Sequence, residues 1–323
     1  MLSFNEYFNL SEGGNIFGDK TAKIKKEHID STLKFYFKEM SRLFPQKRSI
    51  FSMRKFKALG SVGKKAVSGD IDLAISSSDI VDKKFSDAAI KKWNLDPIAV
   101  QAEYAKLAKR ARSATPEALM MKAFLKELGK YINMNSAFIE VEEKKTTPGN
   151  MFGYAPQVDE RGKKLGIGVQ IDWMVGNLKW LTFSYYSAAL PEPTNVKGLH
   201  RTQLMLSAFQ AVNLSFNHVD GVKDKETGEV IATDPTTALD ELSSRLNLKL
   251  TQRTVENYYS LNKALRKLPK AKYGEIVDIY LKILDRTRAD IPDDLHQEWI
   301  DRKQKLNLTG KFLPDNSALR KHV

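Results

Sequence analysis

Chemistry in this chain is concentrated in the stretch Gly60-Ser61, an eight-residue loop of small and basic residues, and then Asp70-Ile71-Asp72-Leu73-Ala74-Ile75. Side chains alternate faces along a β-strand, so Asp70, Asp72 and Ala74 share one side and Ile71, Leu73 and Ile75 the other. The apolar side can enter a core, which aims both carboxylates at a cleft. Two carboxylates that close repel each other, and a divalent cation between them relieves the repulsion. Gly60 lets backbone approach a ligand, and Ser61 with the neighbouring amides suits phosphate oxygens. Such a site calls for a third carboxylate. One is found in the strand pattern over 165–175, where Gln170, Asp172 and Met174 alternate with Val169, Ile171, Trp173 and Val175. An acid on the polar side of an otherwise apolar strand needs a charge partner or a metal.

Other readings of the same residues are weaker. Gly63-Lys64 resembles the end of a Walker A loop, but the first glycine would fall at Ala58, and Lys65 follows where Ser or Thr is required. The five histidines (28, 200, 218, 296 and 322) show no ligand spacing and read as surface or packing residues. Lys106, Lys109, Arg110 and Arg112 form a basic helix face, either a solvated surface or a phosphate track.

The elements that must position the carboxylates follow from periodicity. A loose turn or arm containing Gly13-Gly14 precedes an amphipathic helix over 25–44, with Ile29, Leu33, Phe37 and Met40 at helical spacing and Pro45 as a stop. A strand is expected near 56–59, a turn at 76–79, and helices near 84–93, 97–112 and 116–132, the last capped by Thr115 ahead of Pro116. Strands at 137–142, 151–158 and 165–175 come next, the last two as a hairpin about Asp159–Gly162. Helices are expected near 199–215, 235–247, 252–267, 272–288 and 293–305, with a small hairpin or loop at 219–233 and a polar, basic tail from 308. Together these predict an α/β (α+β) chain: residues 1–190 as a small mixed, mainly antiparallel sheet with helices on one face and a helical insertion at 84–132, and residues 191–323 as a helical domain, the site lying in the cleft between them.

Composition bounds the setting. The chain has 323 residues, no cysteine, and a net charge of +13. Neither a disulfide framework nor a thiolate metal site is available to it. The absence of an apolar run long enough to span a bilayer, and of a signal-like start, fits a cytoplasmic protein. The charge suggests a polyanionic partner, most simply nucleic acid, although solubility alone also accounts for it.

Gly-Ser followed by Asp-x-Asp on a strand and a third Asp on a later strand resembles the DNA polymerase β-like nucleotidyltransferase superfamily. Gly60, Ser61, Asp70, Asp72 and Asp172 match that pattern one by one. A fainter likeness to family X polymerases, over Trp180…Phe183-Ser184-Tyr185-Tyr186-Ser187 and Gly198–Arg201, covers their strand, turn and helix beside the incoming nucleotide. As a whole the chain resembles nucleotidyltransferases encoded by bacteriophages. The resemblance implies two Mg²⁺ or Mn²⁺ ions, Asp70 and Asp72 bridging both and Asp172 binding only the one at the attacking hydroxyl. It implies an NTP, such as ATP, whose β- and γ-phosphates are held by Ser61 and the Gly60 and Gly63 backbone, with Lys64 or Lys65 offsetting their charge. Tyr185 or Tyr186 would stack on the base or pack the ribose, and Arg201 would meet the triphosphate or an acceptor phosphate. Over 90 residues, mostly helical in pattern, separate Asp72 from Asp172, more than in a minimal nucleotidyltransferase. The leading expectation is transfer to an RNA 3′ end. The alternatives are nucleotidylation of a protein or small molecule, and a catalytically silent nucleic-acid-binding protein of the same fold.

Overall fold

The computed structural model describes residues 16–309, except 61, 65, 111–114, 187, 189–194 and 218–220. The chain divides into two compact units between Thr182 and Phe183.

The first unit is built on a five-stranded mixed sheet in the order β2-β4-β7-β6-β5, with β2 Lys57–Ala58, β4 Ile71–Ser76, β5 Glu140–Val141, β6 Asn150–Val158 and β7 Lys164–Gly176. Every neighbouring pair is antiparallel except β4 and β7, which run parallel. Parallel neighbours need a long crossover, and the segment between Ser76 and Lys164 supplies it. β1 Ile24–Lys25 and β3 Val67–Ser68 form a separate two-stranded ribbon. β6 and β7 make the expected hairpin. Its turn is held by the Asp159 carboxylate, which accepts from the Arg161 and Lys163 amides at 3.0 and 2.8 Å, and by Gly162 at φ +83°.

Alternation along the strands gives the sheet two chemically distinct faces. Ile71, Leu73, Ile75, Val169, Ile171 and Trp173 are wholly buried on one of them. Helix α1, Lys26–Leu43, lies on that face, where its buried Leu33, Tyr36 and Phe37 join the core. Thr32 Oγ1 accepts from the Val158 amide at 2.9 Å, tying α1 to the end of β6. α2 Ser77–Ile80 and α3 Asp87–Lys91 lead to α4 Pro97–Ala108 and α5 Pro116–Asn135, each opened by a first-turn proline. Thr115 caps α5 as expected, accepting from the Ala118 amide at 3.2 Å, and Asp96 caps α4 in the same way, accepting from the Ile98 amide at 2.9 Å. α4 and α5 are joined by Glu103, 5% exposed, which lies against Lys126 at hydrogen-bond distance, with Lys106 at 3.8 Å. Rings of Phe44, Phe51, Phe56, Trp93, Phe124 and Trp173 mesh at the centre, with neighbouring centroids 5.0–6.4 Å apart. Each such ring withdrawn from water contributes roughly 2–3 kcal/mol. The helix expected over 97–112 stops at Ala108, and the residues expected to turn at 76–79 wind into α2 instead.

The segment after β7 departs from the polymerase-like expectation. Trp180 and Phe183 lie in a helix, α6 Leu178–Ser184, not a strand. Asn177 starts it, its side-chain oxygen accepting from the Lys179 and Trp180 amides at 3.1 and 3.2 Å.

The second unit holds α7 Gly198–Gln210, α8 Pro235–Leu246, α9 Tyr258–Leu265, α10 Lys270–Thr287 and α11 His296–Arg302. A three-stranded antiparallel sheet interrupts them: β8 Leu214–Asn217, β9 Gly221–Asp224 and β10 Val230–Ala232. The expected helix over 199–215 therefore ends five residues early. Asn213 adopts φ +62°, which breaks the helix, and buried Leu214 and Phe216 then alternate with Ser215 and Asn217 as a strand. Among the described residues no helix is long and apolar enough to cross a membrane.

Candidate metal centre

Asp72 and Asp172 are direct partners in the parallel register of β4 and β7, so both carboxylates leave the sheet on the face opposite the aromatic core. Asp70, expected within the strand, sits instead in the bend one residue before β4 begins. One oxygen from each of the three lies within 4.8 Å of one from each of the others. One carboxylate just ahead of β4, one within it and one directly across the strand pair thus converge, although Asp172 follows Asp72 by 100 positions.

The electrostatics follow from that convergence. Burial raises the Asp70 carboxyl above its ordinary value, opposed by a main-chain hydrogen bond. Burial, and then the charge of Asp70, push Asp72 well above the carboxylate range. Burial, then Asp72 and Asp70, do the same to Asp172, with a hydrogen bond from Gln170 acting in the opposite direction. Three acids held this close cannot all ionise unless positive charge is placed among them.

One atom of the trio is left without a partner. Asp172 is 4% exposed; its Oδ2 accepts from Gln170 Nε2 at 2.8 Å, while its Oδ1 is buried without a hydrogen-bond partner. A buried carboxylate oxygen left unsatisfied is costly, and a hard cation would satisfy it. An all-oxygen donor set of this kind suits Mg²⁺ or Mn²⁺. The residues present fit the group.

The glycine turn closes on this centre. Ala58 pairs with Leu73, the Leu59 amide donates to the Asp72 carbonyl at 2.9 Å, and the chain then turns through Gly60 at φ +57°. A Cβ built on Gly60 would stand 3.4 Å from Asp72 Oδ2, whereas one on Gly63, at φ +72°, meets nothing within 4 Å. Both positions strain any other residue, but only Gly60 borders a carboxylate. We therefore expect Gly60→Ala and Gly63→Ala each to lose about 1–2 kcal/mol of stability in urea unfolding. Only Gly60→Ala should also weaken Mn²⁺ binding; equal Mn²⁺ affinity in the two variants would contradict this assignment. Lys64 is exposed on the same turn, and Ser61 and Lys65 lie outside the described residues.

Tyr185 is half-buried and Tyr186 is 40% exposed, both in the second unit. Arg201, expected to meet a phosphate, is occupied otherwise. It is 2% exposed, with Nε donating to the Val255 carbonyl at 2.7 Å and Nη1 to the Phe183 carbonyl at 2.6 Å. Burial draws its pKa down to about 10, and its guanidinium lies 5.0 Å from the centre of the Phe183 ring. The carbonyls at the end of α6 have no intrahelical donors, and Arg201 supplies one. Arg201 is a structural residue of its own unit. His200 is similarly structural, its Nδ1 accepting from the Lys197 amide at 2.7 Å and its Nε2 lying 2.9 Å from the Asp290 carbonyl.

Gln170 was not singled out from the sequence as a site residue. The signal was there: it lies two residues before Asp172 on the same strand face. No protein-family model matches the chain, and a comparison with curated proteins returned no match.

Proposed function

We propose that this chain is a metal-dependent nucleotidyltransferase of the DNA polymerase β-like superfamily, which transfers a nucleoside monophosphate from an NTP to an acceptor hydroxyl, preferentially an RNA 3′ end. The observation that carries the reading is the cross-strand trio Asp70, Asp72 and Asp172 with a buried, unpartnered Asp172 oxygen and a glycine turn against Asp72. In this reaction the acceptor oxygen bonds to the α-phosphorus as the bond from that phosphorus to the β-bridging oxygen breaks. Pyrophosphate leaves with the bonding electrons, and the hydroxyl proton is released. Asp70, Asp72 and Asp172 would hold the cations, with Asp172 serving the attacking hydroxyl. Bound divalent ions supply charge neutralisation at the phosphates and a more acidic hydroxyl. The main chain at Gly60 keeps side-chain bulk away from Asp72, and Gln170 holds one oxygen of Asp172 so that the other remains available.

Charge favours a polyanionic acceptor. Residues 1–182 carry 31 Lys and Arg against 21 Asp and Glu, and residues 183–323 carry 21 against 18. The positive excess therefore belongs mainly to the part of the chain that bears the carboxylates, as expected for a phosphate-backbone partner. The test is incubation with each α-labelled NTP, Mg²⁺ or Mn²⁺ and total cellular RNA, beside Asp70→Asn, followed by denaturing electrophoresis. Label on an RNA band that the variant loses is the expected result. Label on a protein band would transfer the acceptor role to a protein side chain, and no label in any lane would refute transferase activity on these acceptors.

A further inference from the structure

Gln170 is 2% exposed and both ends of its amide are engaged. Nε2 donates to Asp172 Oδ2 at 2.8 Å, and Oε1 accepts from the Ile16 amide at 3.1 Å. The Ile16 N–H determines the orientation of the amide, because a flipped Gln170 would set NH₂ against N–H and oxygen against carboxylate. The third carboxylate is thus aimed by a residue that is itself seated by the segment before β1.

That segment is fastened to the carboxylate-bearing side of the sheet at several points. The Phe17 ring meets Tyr154 at 5.9 Å between centroids, and Tyr154 is the cross-strand partner of Gln170. Gly168 makes room for the Tyr154 ring, since a Cβ there would come within 1.9 Å of it. Lys20 Nζ pairs with Glu140 at 2.7 Å in an exposed position, where such a pair is weak. The Ala22 amide donates to the Gly168 carbonyl at 3.0 Å, and Gln157 Nε2 donates to the Ala22 and Gly168 carbonyls at 2.9 and 3.0 Å. From Ile16 to Ala22 these contacts make the chain a strap across the sheet; Gly13 and Gly14 of the expected turn or arm lie outside the described residues.

We infer that Gln170 is a positioning residue for Asp172, and that the Ile16–Lys20 strap sets the cation affinity of the carboxylate centre by seating Gln170. The inference rests on the cation-site reading of the trio. Partners of this kind around a metal ligand are worth about 10- to 100-fold in metal affinity.

The test is Mn²⁺ binding to the full chain, followed by the electron paramagnetic resonance signal of free Mn²⁺, with thermal unfolding of each variant alongside. Gln170→Leu removes both hydrogen bonds; Phe17→Ala loosens the strap without touching Asp172, and Phe17→Leu serves if the alanine variant unfolds. Gln170→Leu should weaken Mn²⁺ binding about tenfold, and the Phe17 variant about threefold. In the double variant the Phe17 change should add nothing, because the strap acts through Gln170. A merely structural strap would instead give additive losses. Wild-type affinity in Gln170→Leu would overturn the positioning role, and additivity would overturn the strap's part in it. Failure of the wild-type protein itself to bind Mn²⁺ would refute the cation-site reading, and so is distinguishable from both.

Discussion

Asp172→Asn is expected to reduce nucleotidyl transfer by on the order of 10³-fold or more, about 4 kcal/mol of transition-state stabilisation, with the fold retained. The substitution keeps the shape of the side chain. Its amide oxygen can still accept from Gln170, and its NH₂ group then points toward Asp70 and Asp72, the two carboxylates nearest it. In the absence of metal this replaces a repulsion with a hydrogen-bond donor, so folding has no reason to suffer. The loss falls on the charge that the trio can hold. Label incorporation per minute with the NTP and acceptor found active, beside far-ultraviolet circular dichroism and melting of the same preparation, makes the measurement. Turnover within a few-fold of wild type would remove Asp172 from the site. Loss of the fold would show instead that the carboxylate is structural.

A second large effect concerns stability. The carboxyls of Asp70, Asp72 and Asp172 are all raised in the folded protein, first of all by burial. A raised carboxyl favours folding fully below the ordinary carboxylate value of about 4, where both folded and unfolded chains are protonated. As the pH rises above that value the unfolded carboxyls ionise while the folded ones resist, so that contribution is progressively lost up to the folded values. In EDTA, wild-type protein should therefore lose stability relative to Asp172→Asn between pH 4 and 8, by on the order of 2 kcal/mol. The comparison with the variant cancels the titration of groups outside the trio, so the difference reports Asp172 together with its effect on Asp70 and Asp72. Divalent cation should reverse the order: at a hundred times its dissociation constant it adds about 2.7 kcal/mol to the wild type, with much less for Asp172→Asn. Melting temperatures across this pH range, with EDTA and with Mg²⁺, decide the matter. If Mg²⁺ moves both proteins equally at pH 8, the trio does not hold it.

Both expectations depend on a few residues whose strand face was legible in the sequence, although Asp70 falls just outside its strand. The alternation of Ile71, Leu73 and Ile75 with Asp70 and Asp72 sorts core from site, because a half-buried strand leaves no other arrangement for that pattern. The same reasoning places Asp172 against Trp173 and Val175. The helices of the first unit were readable from apolar spacing, from the first-turn Pro116 and from the Thr115 cap, whose hydrogen bond reaches only three residues. Where local signals compete, the reading failed. Leu214 and Phe216 fit a helix end as well as a strand, and the left-handed Asn213 decided between them. Trp180 and Phe183 fit a strand until Asn177 capped a helix.

What the sequence determined by itself is the chemistry on offer: which acids lie on polar strand faces, which glycine precedes them, and a charge balance suited to polyanions. Periodicity is a local property, so it reports the face a side chain takes. It does not report which strand becomes the neighbour, and only the tertiary structure decided that β4 and β7 run parallel with Asp72 opposite Asp172. The same holds for Arg201, whose charge invited a phosphate but whose position inside its unit gives it to main-chain carbonyls. It holds again for Gln170, which depends on Ile16 from 154 residues away. Contacts between distant segments arise from packing of the whole unit, and no spacing within one segment encodes them.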